Sequence, residues 1–453
     1  MVFSSLNFLI IFLPCVFILY YCVSNMKIKN GLLVIASLLF YALGEPYYIG
    51  LLLLSTFVNY ILALKINDYK YNIVFAVVFN LGLLFIFKYL SFFLTMLNSI
   101  GIPLPQYELR LPIGISFFTF QILSYVIDVY RQQEKAEKNF LNVLLYISFF
   151  PQLIAGPIVK YHDIANQIQY RKHSVEMVSM GLRRFVIGLS KKVILSNSVA
   201  VIVDSIYLNN EFNSITAWVA AILYCFQIYY DFSGYSDMAI GLGKMFGFEF
   251  LENFDYPLSS TTMKDFWRRW HISLSSWFKE YLYIPLGGNK VNKSRTVINK
   301  FIVFFCTGLW HGANYTFVLW GLMNGLLVSL EERVKFLKKM RGHFIGWIYT
   351  SILVAVCFVM FRSENVNQAL SIYYHMFFAW DFSSLDISYL MSFLNPFMLF
   401  IIFLCFIGIY DWKKKINLKK FGIVHYIITI LLMLLCIMML TSNHYNPFIY
   451  FRF

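Results

Sequence analysis

The chain has 453 residues, 59% of them hydrophobic and 13% charged, with a mean hydropathy of +0.65. That apolar content exceeds what a soluble domain carries and makes the lipid bilayer the fitting solvent. The formal charge of +14 does not point to nucleic acid, because the basic residues sit in short loops between hydrophobic runs, where the positive-inside tendency expects them.

Apolar runs recur from residue 2 to residue 441, several reaching the roughly 20 residues a helix needs to cross a hydrocarbon core of about 30 Å. One membrane domain is therefore expected over residues 1–441, followed by an aromatic tail at 442–453. The first run, 2–23, has no basic residue before it and no small-residue cleavage pattern after it, so it reads as a retained span. Lys27 and Lys29, Lys65 and Lys70, and Arg131, Lys135 and Lys138 mark loops expected in the cytoplasm. The stretches 44–46, 103–105 and 209–213 carry almost no positive charge and are expected outside. Five spans then alternate from an extracytoplasmic N-terminus.

The apolar segment 140–158 runs from one basic loop into another holding Lys160, Arg171 and Lys172, and it contains Phe150, Pro151, Gly156 and Pro157. It reads as broken or re-entrant, which membrane depth tolerates only where protein or water covers the freed backbone; an ordinary kinked helix is the alternative. Residues 178–206 and 214–243 can form two further spans. From 245 to 295 the chain turns amphipathic, with Lys264, Asp265, Arg268, Arg269, His271, Lys279 and Glu280 interleaved with Trp267, Trp270, Trp277, Tyr281 and Tyr283. Such a composition suits helices lying at an interface or lining a polar funnel. Residues 297–330 are apolar again, and a turn or break at 308–314 would hold His311 at depth. Spans near 344–361, 391–410 and 421–441 follow, and Lys413, Lys414, Lys415, Lys419 and Lys420 put the loop before the last one inside and the tail outside. No internal repeat supports an inverted-repeat transporter. All seven cysteines lie in apolar stretches without paired C-x-x-C spacing or a histidine cluster, so neither a metal site nor a disulfide framework is suggested.

Ionisable groups inside membrane segments are costly, and each is a functional candidate by default. His311 sits in Gly308-Leu-Trp-His-Gly-Ala-Asn314; its imidazole could take a proton from a hydroxyl and return it to a leaving thiolate, as acyl transfer from a thioester requires. Alternatively it is a core histidine bonded to Asn314 or a carbonyl. His271 follows Trp267, Arg268, Arg269 and Trp270, and this group reads either as a second catalytic or positioning group with arginines for an anionic donor, or as an interfacial Trp/Arg belt. Asp231 and Asp237, six positions apart, could do acid/base work, but a structural network with Lys244 or Arg268 is the stronger expectation. In the tail, Tyr450 is either an acyl acceptor inserted into the protein or part of an aromatic anchor.

Longer motifs add to this. MVFSSLNFLIIFLP at the start, LPIGISFFTFQILSYVIDVYR from 111, LIAGPI from 153, YDFSGYSDMAIGLGKMFGFEFLENFDYP from 230, FWRRWHISLSSWFKEYLYIPLGGNK from 266, GLWHGANYTFVLWG from 308 and PFIYFRF at the end resemble the alginate and peptidoglycan O-acetyltransferase branch of the membrane-bound O-acyltransferase family, essentially end to end. The resemblance implies an all-α polytopic membrane protein with about 10–12 transmembrane helices plus re-entrant and interfacial helices around a central funnel. It places His311 on the family's principal catalytic histidine, His271 on its second, and Tyr450 on a tyrosine implicated in carrying the acyl group. Trp267, Arg268 and Arg269 would meet the donor, with Asn314, Asp231 and Asp237 in support.

The same resemblance implies no permanently bound cofactor. Acetyl-CoA or an acyl carrier protein thioester would be the donor, a polysaccharide the acceptor and an extracytoplasmic SGNH-hydrolase-like transferase the partner. The location it implies is a bacterial cytoplasmic membrane, in which the loop charges put both termini outside. D-alanyl transfer to teichoic acid uses a similar scaffold but takes its aromatic tail from a separate small protein. A transporter without chemistry of its own would keep acetylation after His311→Ala, and the presence of His271, His311 and Tyr450 argues against an inert scaffold.

Overall fold

The computed structural model of the chain describes residues 2–107, 109–209, 212–334, 341–379, 384–411, 423–442 and 446, with the backbone alone at 384–386. Among them all regular structure is helical. The chain forms two compact units, the first from residues 1–186 and 235–251, the second from 187–234 and 252–453.

In the first unit, α1 (Phe8–Cys22), α2 (Met26–Ala42), α3 (Ile49–Leu64), α4 (Asn72–Ser99) and α5 (Ile115–Tyr130) take up the five apolar runs. Asn25 caps α2 by accepting from the Lys27 N–H at 2.9 Å, and Gly114, at φ 78°, turns the chain into α5, a backbone conformation glycine adopts without penalty. Phe3, Phe8, Phe40 and Phe150 are fully buried and form an aromatic core, while Ile10, Ile11, Ile18 and Leu19 of α1 face outward, a surface suited to lipid. Asn59 and Asn80 exchange amide hydrogen bonds of 2.7 and 3.2 Å between α3 and α4, the kind of polar pair that joins helices in a bilayer.

The run at 140–158 is broken. α6 (Phe140–Ser148) ends at Phe149, whose ψ of 113° leaves the helical region, and α7 (Phe150–Leu153) is a single turn. The freed N–H of Phe150 donates to Ser37 Oγ at 3.1 Å, and a Cβ on Gly114 would stand 2.7 Å from the Leu153 carbonyl oxygen. Protein therefore covers the break, as membrane depth demands. The amphipathic α8 (Tyr161–Gln169) follows, tied to α5 by His162 Nδ1 and Asp128 Oδ2 at 2.9 Å.

α9 (Val175–Asn209) and α10 (Ser214–Met245) contribute to both units. Within the first, Gly181 and Gly241 meet so closely that a Cβ on either would lie 2.6 Å from the other's carbonyl oxygen. Within the second, a Cβ on Gly234 would lie 2.7 Å from the Gly188 oxygen. These glycines set the helix separation and hence which charges pair. Asp237 accepts from Arg184 Nε and Nη2 at 3.0 and 2.8 Å in the first unit. Asp231 meets Lys192 Nζ at 2.6 Å in the second, with both side chains buried. The partners expected from sequence, Lys244 and Arg268, are thus replaced by residues of α9, because a carboxylate at membrane depth pairs with whatever the neighbouring helix presents.

The rest of the second unit comprises α11 (Met263–Arg269), α12 (Ile272–Phe278), α13 (Lys293–His311), α14 (Tyr315–Arg333), α15 (Phe344–Arg362), α16 (Val366–Tyr374), α17 (Ser384–Phe393), α18 (Pro396–Ile407) and α19 (Val424–Ser442). Among the described residues, α4, α9, α10, α15 and α19 are long and apolar enough to cross a bilayer; Ile387–Phe393 and Pro396–Ile407, bent by 86°, make a sixth if they form one span. The other apolar runs form helices that are shorter, bent or divided. α1, α3 and α5 are apolar but shorter, the run near 391–410 bends at Asn395-Pro396, and the run at 297–330 is divided by the turn at 312–314.

Candidate active site

The second unit holds both candidate histidines. His311 is the last residue of α13. Gly312 then runs extended and Asn314 caps α14, its Oδ1 accepting from the Thr316 N–H at 3.1 Å and its amide donating to the Glu364 carbonyl at 2.9 Å. The hairpin closes tightly: a Cβ would meet the Phe317 carbonyl oxygen at 2.4 Å from Gly308, the Phe317 ring at 2.3 Å from Gly312, and the Phe304 carbonyl oxygen at 2.3 Å from Gly321. The expected break at 308–314 is therefore a helix end and a sharp turn. It leaves the His311 ring 3% exposed, with edge contacts to Trp310, Trp320 and Phe361 at centroid distances of 4.9, 5.1 and 5.1 Å.

His271 is fully buried and caps α12 in the left-handed region, φ 45° and ψ 55°. A non-glycine residue holds that conformation only where its surroundings over-determine it. Asn253 supplies the restraint. Its Oδ1 faces the Ser273 N–H at 3.1 Å, Ser273 Oγ at 2.8 Å and His271 Nδ1 at 3.2 Å, while its carbonyl accepts from the Ile272 N–H at 2.9 Å. Because a backbone N–H can only donate, the Asn253 atom at this junction is oxygen, and Nδ1 of His271 carries the proton. Nε2 is then a bare lone pair, buried and with no hydrogen-bond partner among the described residues. Burial pushes this imidazole down to about 3, so it is neutral at physiological pH. Phe232 stands edge-on to the ring at 4.6 Å and Trp310 at 5.7 Å. Trp310 thus borders both histidines.

Trp267 reaches the same region through its neighbours, meeting Trp320 at 5.6 Å and donating its Nε1–H to Asn324 Oδ1 at 3.1 Å. Arg268 is exposed, and both it and the partly buried Arg269 are paired with Asp265, at 2.5 and 3.0 Å. Part of the positive charge expected for a donor is therefore already compensated. α11 itself starts on the Glu331 carboxylate, which accepts from the N–H groups of Met263 and Lys264 at 2.7 and 3.1 Å, an anion where a helix N-terminus favours one. Tyr450 lies outside the described residues. Asn446, earlier in the tail, accepts from Asn197 Nδ2 of α9 at 3.1 Å.

Sequence reasoning missed Asn253 and Trp310 as groups organising the histidines. A lone asparagine before an aromatic carries no spacing signal, whereas Trp310, adjacent to His311, could have been suspected from its position alone.

A model of the membrane-bound O-acyltransferase family matches residues 116–371. In an alignment of 486 residues that spans both chains completely, the sequence is 36% identical to a Pseudomonas putida protein described as "Probable alginate O-acetylase AlgI". It is 36% identical over 417 residues to the peptidoglycan O-acetyltransferase of Helicobacter pylori, covering 82% of this chain and 79% of that one. To the teichoic acid D-alanyltransferase of Bacillus subtilis it is 27% identical over 241 residues, covering 50% and 60%.

Proposed function

The chain belongs to the membrane-bound O-acyltransferase family, and from that premise we propose that it moves an acetyl group from a cytoplasmic thioester to an extracytoplasmic polysaccharide through an ester on Tyr450. It is a multi-pass membrane protein and an O-acyltransferase. The names of two relatives, a "Probable alginate O-acetylase" matched end to end and a peptidoglycan O-acetyltransferase matched over about four fifths of each chain, support acetyl as the group and a polysaccharide as its destination.

The observation that carries the chemistry is the pair of buried imidazoles around Trp310, one of them with its Nδ1 proton committed to Asn253. In the proposed first step an imidazole lone pair removes the Tyr450 phenol proton and the phenolate oxygen attacks the thioester carbonyl. The C–S bond breaks, and the proton passes to the departing thiolate, giving a free thiol and an aryl acetate. His311 serves as the principal base and His271 as its partner. In the second step an SGNH-hydrolase-like transferase moves the acetyl group to a sugar hydroxyl and the phenol is regenerated. Acetyl-CoA or an acyl carrier protein thioester is the donor, met by Trp267, Arg268 and Arg269. Both termini lie outside the cytoplasm.

The test is mass spectrometry of the C-terminal peptide after incubation with acetyl donor and no partner transferase. Acetylated Tyr450 in the wild type, lost in His311→Ala, is the expected result. Full polymer acetylation by Tyr450→Phe would overturn the relay, full acetylation by His311→Ala would return the chain to a transporter or scaffold, and a D-alanyl adduct would move it to the teichoic acid reaction.

A further inference from the structure

The first unit buries a cluster of basic side chains for which the acyl-transfer reading has no use. Arg171, between α8 and α9, is 8% exposed and Lys29, in the first turn of α2, is 7% exposed. His173 stands beside them. Tyr20 of α1 is the hub: its hydroxyl donates to the Phe246 carbonyl at 2.9 Å, accepts from Arg171 Nε at 2.9 Å and meets His173 Nε2 at 2.7 Å. Arg171 Nη1 donates to the Gln167 and Ile168 carbonyls, both at 3.3 Å, while its plane stacks over Phe248 at 4.3 Å. Lys29 Nζ lies over the Tyr20 and Tyr21 rings at 4.7 and 5.3 Å.

Among the described residues no carboxylate forms an ion pair with Lys29 or Arg171, and Arg171 Nη2 is buried with no hydrogen-bond partner. A buried cation without an anion is strongly unfavourable, and two together repel. Cation–π contacts and backbone carbonyls soften this cost without cancelling the charge. The cluster also sits where helices end: near the C-terminus of α1, at the N-terminus of α2, just before α9 and just after α10. Lys27 and Lys172 are exposed beside it. Along the same α1 and α2, Ile18, Leu19, Ile28 and Ile35 are all more than half exposed. An anion at the helix ends with an apolar strip running away along the helix sides is the outline of a phospholipid.

We propose that Lys29, Arg171 and His173 form a binding site for the phosphate of an anionic phospholipid, whose acyl chains lie along the exposed faces of α1 and α2. Arg171 Nη2 and Lys29 Nζ supply the donors, and Tyr20 holds the guanidinium in place. Basic pockets at helix ends are a recurrent means of recognising anionic headgroups, and the planar guanidinium suits a phosphate better than an ammonium alone.

The experiment is native mass spectrometry of the full-length protein in detergent, titrated with phosphatidylglycerol and phosphatidylcholine of matched chains. The wild type is expected to retain phosphatidylglycerol about tenfold or more over phosphatidylcholine, the scale of two basic contacts. Lys29→Gln/Arg171→Gln is expected to bring the ratio near one, and neither inorganic phosphate nor coenzyme A should displace the lipid. Equal retention of the two lipids by the wild type, or an unchanged preference in the double variant, overturns the proposal. Displacement by coenzyme A or phosphate overturns the lipid assignment in favour of a soluble phosphate ligand. Should the double variant not fold, Lys29→Gln alone, whose ammonium lies over the Tyr20 and Tyr21 rings, is expected to lower the preference about threefold or more, and an unchanged ratio again overturns the site.

Discussion

Asn253→Ala gives the sharpest test of how the histidines are organised. The substitution removes the oxygen that accepts from three buried donors: the Ser273 N–H, the Ser273 hydroxyl and the His271 Nδ1–H. At about 1 kcal/mol net for each hydrogen bond, roughly 3 kcal/mol of local restraint disappears, and it restrained a residue held at φ 45°. Two consequences follow. The His271 proton is no longer confined to Nδ1, and the ring can leave its place against Phe232 and Trp310. If that full restraint serves the transition state, the loss is about a hundredfold in rate. The assay is acetyl transfer to polymer in membranes containing donor and partner transferase, with a melting curve in detergent alongside. Asn253→Asp is the informative companion: it keeps an acceptor for Nδ1 but adds a buried carboxylate, which raises the His271 pKa from about 3 and loads Nε2 with a proton at higher pH. The acid limb of its pH–rate profile should therefore move upward relative to the wild type. Wild-type rates in Asn253→Ala, or an unmoved limb in a folded and active Asn253→Asp, would refute the reasoning.

Gly308→Ala should separate α13 from α14, since its Cβ would fall 2.4 Å from backbone at Phe317; a loss of folded yield or at least about tenfold in acetylation is expected, against near-neutral behaviour of Gly82→Ala, where nothing lies within 4 Å. Lys192→Met should cost about 3–5 kcal/mol by leaving the Asp231 charge buried, whereas Lys192→Met/Asp231→Leu should recover much of it; detergent melting curves of both variants decide, and equal losses would argue against the pair. His162 is raised above its usual pKa, chiefly by its hydrogen bond to Asp128, so the stability it contributes is fully present below about 6.5 and is lost as pH rises through the raised value. The melting temperature of the wild type should accordingly fall relative to His162→Gln between those limits, and parallel curves would contradict the linkage.

Much of this protein can be read along the chain. Hydropathy marks the first five helices, α9, α10, α15 and α19, because lipid selects apolar residues one by one and each helix satisfies its own backbone. Pro151 and Gly156 announce the break after Phe149, and the glycines around His311 announce the turn that ends α13, since backbone breaks are local events with local residue signatures. Partnership is not local. Asp237 and Asp231 find Arg184 and Lys192 because close glycine contacts set the register of α9 against α10; no spacing within 231–237 contains that register. Asn253 becomes the restraint on His271, and Trp310 the neighbour of both imidazoles, only after short helices fold back on one another. Lys29, Arg171 and His173 look like ordinary loop charges until Tyr20 gathers them into one buried cluster. Composition and periodicity determined which segments are helices and where they fail; the packing of segments far apart in the chain decided which charges meet, which tautomer His271 holds and which cations gather around Tyr20.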